Sequence, residues 1–342
     1  MPKYLMMIAP SGNRVYAAGS APLAAAELEV CGRGAFRDVR PVRLAGADYL
    51  SFEGDVEAGE GLAVLAGQSL RLALFEATGT DDAPLLRPVA VPDEAVLDED
   101  LVTIPKYPGK TNELFTRLLL NVTLSQVRRG EGARQRLSVL DPMCGRATTL
   151  TTAWLAGHHG AGVEADTKAV EQTAAFLKTW LRRKRLKHTA DVTPVRRDGK
   201  SLGKRLDVEV RPEGTEPLAL TVFTGDTRTS AALFGKRRFD AVVCDAPYGV
   251  VHGSQTDVRG TSGRRDRTPA GLLREAVPVW ASQLRPGGAM GLSWNTLGLP
   301  REELAAVLAG AGLEPQDSGP WHGFAHRVDA SIHRDLLVAT KP

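Results

Sequence analysis

Four acidic residues stand where short apolar runs end: Asp141 after residues 137–140, Glu164 after 161–163, Asp226 shortly after 218–223, and Asp245 after 241–244. Asp141 opens the turn Asp141-Pro142-Met143-Cys144-Gly145, in which a glycine lets backbone approach a ligand closely. Its carboxylate suits a positively charged ligand, such as a sulfonium bearing an amino group. The missing G-x-G-x-x-G argues against a pyrophosphate cradle. An ordinary strand-to-helix turn looks the same in isolation. Glu164 falls about 20 residues beyond the glycine turn, the spacing at which a carboxylate takes ribose hydroxyls. Asp226 can accept an amino hydrogen from an adenine ring, whereas Asp166 reads as a helix N-cap. In Asp245-Ala246-Pro247-Tyr248, the Asp245 carboxylate and a backbone carbonyl of Ala246 or Pro247 can accept both hydrogens of a conjugated amino group. That aligns the nitrogen lone pair for attack, with Tyr248 stacked on the ring. The bland alternative is a strand-ending turn with a core tyrosine; the three preceding acidic strand ends weigh against it.

These residues need an element at each side. Strands are expected at 137–140, 161–163, 218–223, 241–244 and 289–294. Helices are expected at 111–128, with Thr111 as N-cap, and at 148–156, 169–185, 268–284 and 302–311. Such alternation predicts βαβ units, hence a mostly parallel, doubly wound α/β sheet whose ligand lies beyond the carboxyl ends of the strands. Earlier in the chain the order is strand 3–9, helix 21–30, strands 38–44 and 49–53, helix 59–66 and strand 70–77. This β-α-β-β-α-β order predicts a small ferredoxin-like α+β domain. The acidic, proline-containing stretch 79–100 reads as a linker with a short strand at 87–91. The expected division is 1–80, a linker at 81–106, and 107–342.

With 342 residues, 43% hydrophobic and 24% charged, the chain is too apolar to be disordered. No run approaches the ~20 apolar residues of a transmembrane helix, and residues 5–9 are too short for a signal-peptide core. A soluble cytoplasmic protein with no membrane partner is expected. Cys31, Cys144 and Cys244 form no C-x-x-C pair, which excludes a disulfide framework or zinc ribbon. His158-His159 and His322/His326 lack further zinc ligands, so no metal is expected and these histidines read as solvent-facing. Cys144, Cys244, Trp321 and Phe324 read as packing residues.

Charge is uneven: residues 1–100 hold 8 Lys or Arg against 16 Asp or Glu, and the remainder 35 against 24. Any polyanion should meet the later part. Arg182, Arg183, Lys184, Arg185 and Lys187 end a helix, followed by Arg196, Arg197, Lys200, Lys204 and Arg205. Ten cations against Asp191 and Asp198 exceed what a helix terminus needs, which favours phosphate contact over a merely solvated face. Arg259, Arg264, Arg265 and Arg267 lie in a glycine-containing loop beyond Tyr248, readable as a substrate lid.

Asp245-Ala246-Pro247-Tyr248 matches the (D/N)-P-P-(Y/F) signature of methyltransferases acting on exocyclic amino groups of nucleobases. Together with Gly109-Lys110-Thr111-Asn112-Glu113, Phe115-Thr116, Asp141–Gly145 and Gly162-Val163-Glu164, it makes the chain from about Tyr107 onward resemble class I S-adenosylmethionine-dependent methyltransferases. The particular resemblance is to the THUMP-linked tRNA guanine-N2 methyltransferase family. That resemblance implies a Rossmann-like domain with Thr111, Asn112, Asp141, Pro142, Met143, Cys144 and Gly145 at the methionine end of S-adenosylmethionine, Glu164 at the ribose and Asp226 at the adenine. Asp245, Pro247 and Tyr248 would be catalytic. Two motifs depart from the family pattern: Arg146-Ala147 stands where Ser-Gly is usual, and Ala246 replaces proline. The expected activity is methylation of guanosine N2 in tRNA. The alternatives are adenine-N6 methylation of DNA or RNA, and a catalytically silent RNA-binding protein on the same scaffold.

Overall fold

The computed structural model describes residues 1–12, 14–56, 59–80, 83–130, 136–197, 200–246 and 269–342. The first part comprises β1 (Lys3–Ile8), α1 (Arg14–Gly32), β2 (Phe36–Leu44), β3 (Ala47–Gly54), α2 (Glu60–Gly67), β4 (Arg71–Thr80) and β5 (Ala83–Val89). Its antiparallel sheet has the order β2-β3-β1-β4-β5. The first six elements follow the expected β-α-β-β-α-β order. β5 lies earlier than the expected strand at 87–91 and adds a fifth strand by pairing along β4, so part of the expected linker is sheet.

Next come α3 (Asp100–Thr103), α4 (Glu113–Leu124), β6 (Ser138–Asp141), α5 (Thr148–Leu155), β7 (His159–Glu164) and α6 (Thr167–Arg183). β8 (Lys187–Arg197), β9 (Lys200–Arg211), β10 (Leu218–Thr224), α7 (Ser230–Phe234), β11 (Phe239–Asp245) and α8 (Pro269–Gln283) follow. β12 (Leu284–Asn295), α9 (Arg301–Gly310), β13 (Glu314–Pro315), β14 (His326–Arg327) and β15 (His333–Thr340) complete the order. Among the described residues these strands form a ten-stranded mixed sheet, β13-β15-β12-β11-β6-β7-β10-β9-β8, with β14 on β15. Its centre, β12-β11-β6-β7-β10, is parallel. The chain moves from β6 outward through β7 to β10, then returns to the other side of β6 for β11. The strand order therefore reverses between β6 and β11, where open α/β sheets bind ligands. Asp141 and Asp245 end those two strands.

Helix α4 starts later than expected and its cap is Asn112, not Thr111: the Asn112 side-chain oxygen accepts from Leu114 N at 2.9 Å and Phe115 N at 3.2 Å. Phe115, Leu118, Leu119 and Val122 of α4 share one core with Leu23 and Leu28 of α1, Phe52 of β3, and Val338 of β15. The two sheets are thus joined through a continuous apolar interior. At its edge the fully buried Glu27 accepts from Ser69 N at 3.1 Å, Ser69 Oγ at 2.5 Å and Asn121 Nδ2 at 2.7 Å, linking α1 and the start of β4 to α4.

The hairpin β8–β9 and strand β15 lie outside the expected elements. His326 is buried and His158 half-buried, contrary to the solvent-facing expectation; burial pushes both imidazoles down to about 4. Trp321, Phe324, Cys144 and Cys244 are buried as expected.

Candidate active site at the carboxyl edge of the sheet

The turn after β6 lies against β7. Cys144 N donates to Val163 O at 3.0 Å, and Gly145 N to Glu164 Oε2 at 2.8 Å. Gly162 is required there, since a Cβ on it would come within 2.6 Å of Cys144 Sγ. Gly145 and Ala147 both have positive φ, 51° and 67°, and open space faces the Gly145 Cα. Ala147, a non-glycine residue, adopts the left-handed conformation with its side chain fully buried.

Asp141 is buried, accepts from Met143 N at 3.1 Å, and also bonds the Thr149 side chain. Burial is the main reason its carboxyl is pushed up to about 7, and the charges of Asp245 and Glu164 add to it. Glu164 is raised chiefly by burial. Its other oxygen accepts from Asp166 N at 2.8 Å, and Asp166 caps α6 as expected. Two carboxyls whose ionised forms are disfavoured by burial, beside an open glycine turn, make an environment that a cationic ligand improves.

Asp226 differs from the other three. It caps the 3-10 turn Thr227–Thr229 and holds Arg228, whose Nη2 lies 2.6 Å from Oδ2. A ligand amino group would share that carboxylate with Arg228.

Asp245 ends β11 beside Ser293 of β12, and Ala246 N donates to Ser293 O at 2.8 Å. The Thr111 hydroxyl donates to Asp245 Oδ2. Arg334, at the start of β15 and 5% exposed, brings Nη2 to 3.9 Å from the same oxygen while its guanidinium lies over the Phe115 ring at 4.5 Å. Phe115 also contacts His326 and Tyr16. Asn112 Nδ2 donates to Ser11 Oγ at 3.3 Å, bringing the end of β1 to this edge. The Ser293 hydroxyl and His326 Nε2 are buried with no hydrogen-bond partner among the described residues.

Of the expected site residues, Asp141, Pro142, Met143, Cys144 and Gly145 form one turn that is hydrogen-bonded to Glu164 at the end of β7, and Thr111 joins Asp245. Pro247, Tyr248, Arg259, Arg264, Arg265 and Arg267 lie outside the described residues. Arg334, Ser11, Tyr16 and Tyr107 were not anticipated. Tyr107 donates or accepts a hydrogen bond with Thr148 Oγ1 at 2.7 Å, and the Arg146 guanidinium lies 4.5 Å from its ring centre. Only the apolar run before Thr340 signals β15, and no local pattern marks Arg334.

Lys184 is committed to Asp98 and Asp100, both at 2.7 Å. Arg182, Arg183, Arg185 and Lys187 are exposed at the end of α6.

No family model matches the chain. A tRNA (guanine(10)-N2)-dimethyltransferase of Methanothermobacter thermautotrophicus is 30% identical over 220 residues, covering 60% of this chain and 48% of that protein. The chain thus spans about half the length of that curated relative. Among solved structures, a 16S rRNA N2 G1207 methyltransferase of T. thermophilus is 16% identical, covering 88% of this chain and 57% of its own, with a TM-score of 0.36. A putative RNA methyltransferase of Pyrococcus horikoshii is 14% identical, covering 67% and 82%, also at 0.36. The chain resembles class I methyltransferases of the tRNA guanine-N2 type in sequence, and among the described residues no helix is long and apolar enough to cross a membrane.

Proposed function

We infer that this chain is an S-adenosylmethionine-dependent RNA methyltransferase acting on the N2 amino group of a guanosine in tRNA, in the cytoplasm. The observation that carries the reading is Asp245: a carboxylate at the reversal point of the sheet, fixed by Thr111 and Arg334, facing the Asp141–Gly145 turn across that point and followed by Ala246-Pro247-Tyr248. The sequence likeness to a tRNA guanine-N2 enzyme supports the choice of base and RNA.

The donor set fits the cofactor. Asp141 and Glu164 offer negative charge beside an open glycine turn, and backbone bonds already orient Glu164 with lone pairs to spare for ribose hydroxyls. S-adenosylmethionine, when bound, supplies an electrophilic methyl group on a sulfonium. Thr111, Asn112, Pro142, Met143 and Cys144 would line its methionine end, and Asp226 its adenine end. Asp245 would accept one hydrogen of the target amino group and the carbonyl of Ala246 or Pro247 the other, turning the nitrogen lone pair toward the methyl. Tyr248 would stack on the extruded base. Asp245 acts chiefly by orientation, because a carboxylate is a weak base toward an aromatic amine. The proton leaves once the nitrogen has become cationic, and Asp245 would take it.

Comparing modified nucleosides by mass spectrometry in tRNA from cells with and without the gene tests this reading. Loss of an N2-methylated guanosine is expected. An unchanged set, or loss of N6-methyladenosine alone, contradicts it.

A further inference from the structure

The basic residues that follow α6 divide into two groups at opposite edges of the sheet. β8 begins at Lys187 paired with Arg211, and Val210 pairs with Leu218 at the start of β10. Leu220 of β10 is in turn level with Gly160 near the start of β7. The end of α6, with Arg182, Arg183 and Arg185, therefore lies at the amino edge, away from Asp141, Glu164 and Asp245. The other end of the same hairpin behaves differently. Phe223 pairs with Arg205, itself paired with Thr193, and β10 stops at Thr224, yet β9 continues through residues 200–204 and β8 through 194–197. Five residues of β9 and four of β8 extend past that level at the carboxyl edge, a reach on the order of 15 Å.

Two features aim this arm. Gly203 has φ +127°, and a Cβ there would meet Thr224 O at 2.9 Å, so only glycine lets β9 press against the end of β10, one strand from Glu164. The β8–β9 register shifts between Val195 and Arg196, which bends the pair at the same level. Charge along the arm is graded. At its root Lys204 pairs with Glu171 and Arg205 with Asp207. Beyond the bend Arg196 is exposed and has no acidic partner among the described residues, with Arg197 and Lys200 adjoining it in register.

We propose that the overhanging β8–β9 arm, on which Arg196 is exposed and the backbones of Arg197 and Lys200 pair in register, holds phosphates of the RNA substrate beside the catalytic edge, and that the cationic end of α6 does not. This rests on the RNA reading above and names the surface that serves it. A two-stranded ribbon with cations near its tip can follow a phosphate backbone without reading bases. Its root beside Glu164 places it at the mouth of the cofactor site.

The test compares the full chain with two variants, Arg196→Gln/Arg197→Gln/Lys200→Gln and Arg182→Gln/Arg183→Gln/Arg185→Gln. Affinity for unmodified tRNA is measured at several salt concentrations, and S-adenosylmethionine binding by calorimetry serves as the check of folding. The arm variant should bind tRNA about tenfold or more weakly near 0.1 M salt and lose roughly two units of the salt slope, at about 0.7–0.9 per phosphate contact. Its cofactor affinity should be unchanged. The α6 variant should stay within about twofold of wild type. Equal loss in both variants, loss only in the α6 variant, or no loss in either while wild type binds tRNA would overturn the arm. Wild-type protein that binds cofactor but no RNA would instead overturn the RNA reading itself, and the arm with it.

Discussion

Arg334 Nη2 stands 3.9 Å from Asp245 Oδ2, with its guanidinium laid across Phe115 and almost no solvent exposure. The two residues sit two strands apart, on β11 and β15, and Thr111 of the segment before α4 closes on the same carboxylate oxygen. A buried cation and a hydroxyl donor both engage Oδ2, so that oxygen of Asp245 is held in place. Fixed geometry is what an acceptor of amino hydrogens needs. Phe115 stacks Arg334 from the interior that also holds α1, so the first sheet buttresses the second at the carboxyl edge of its parallel strands.

Arg334→Gln should lower kcat by about tenfold or more through loss of this positioning, with cofactor affinity within about twofold. Arg334→Lys should recover part of the rate by restoring the charge without the planar stack. Steady-state kinetics alongside calorimetry check this. A variant that loses cofactor binding and rate together would mark Arg334 as a structural support only.

Cofactor affinity should rise with pH between 6 and 8, because Asp141, pushed up to about 7 by burial, offers its charge to a cationic ligand only when ionised. Asp141→Asn should flatten that dependence and bind more weakly at pH 8. The ligand-free protein carries the opposite sign. The folded state keeps the Asp141 proton up to about 7, whereas an unfolded chain releases it near about 4. This group's contribution to stability therefore falls as pH rises through that interval and levels off above it. Calorimetric titrations at pH 6, 7 and 8 decide the first point, and melting curves over pH 4–8 the second.

Glu27 bridges α1, the start of β4 and α4 through Ser69 and Asn121, and burial raises its pKa. Glu27→Ala should cost about 1–3 kcal/mol by leaving buried donors unsatisfied. Glu27→Gln, which retains an acceptor of the same size, should cost less, and its disadvantage should shrink as pH rises because the native carboxyl then bears the cost of a buried charge. Chemical denaturation at two pH values measures both. Equal stability of the Ala variant and wild type would contradict the bridging role.

The parallel core of the large sheet was legible because buried strands read as short apolar runs with an acid or glycine at each end, as at Asp141 and Asp245. The ferredoxin-like order was legible from alternation in β2, β3 and β4. Two parts were not. The β8–β9 hairpin alternates Leu206, Val208 and Val210 with polar residues on β9, but on β8 the inward positions are only Ala190 and Val192, set among Thr189, Asp191, Thr193 and Pro194, a signal too weak for a strand assignment. Arg334 was not legible because its role depends on β15 pairing antiparallel to β12, a long-range register that brings residues 89 positions apart together. Asn112 displaced Thr111 as the cap of α4 for a related reason: a distant carboxylate takes the Thr111 hydroxyl.

The most direct measurement incubates unmodified tRNA and S-adenosylmethionine carrying an isotopically labelled methyl group with wild-type protein and with Asp245→Ala, then identifies the labelled nucleosides by mass spectrometry. The account predicts labelled N2-methylguanosine from wild type and at least about a hundredfold less from the variant, a loss in the upper range for a positioned proton acceptor, with both proteins binding cofactor alike. Label on N6 of adenosine, or equal methylation by both proteins, would contradict it.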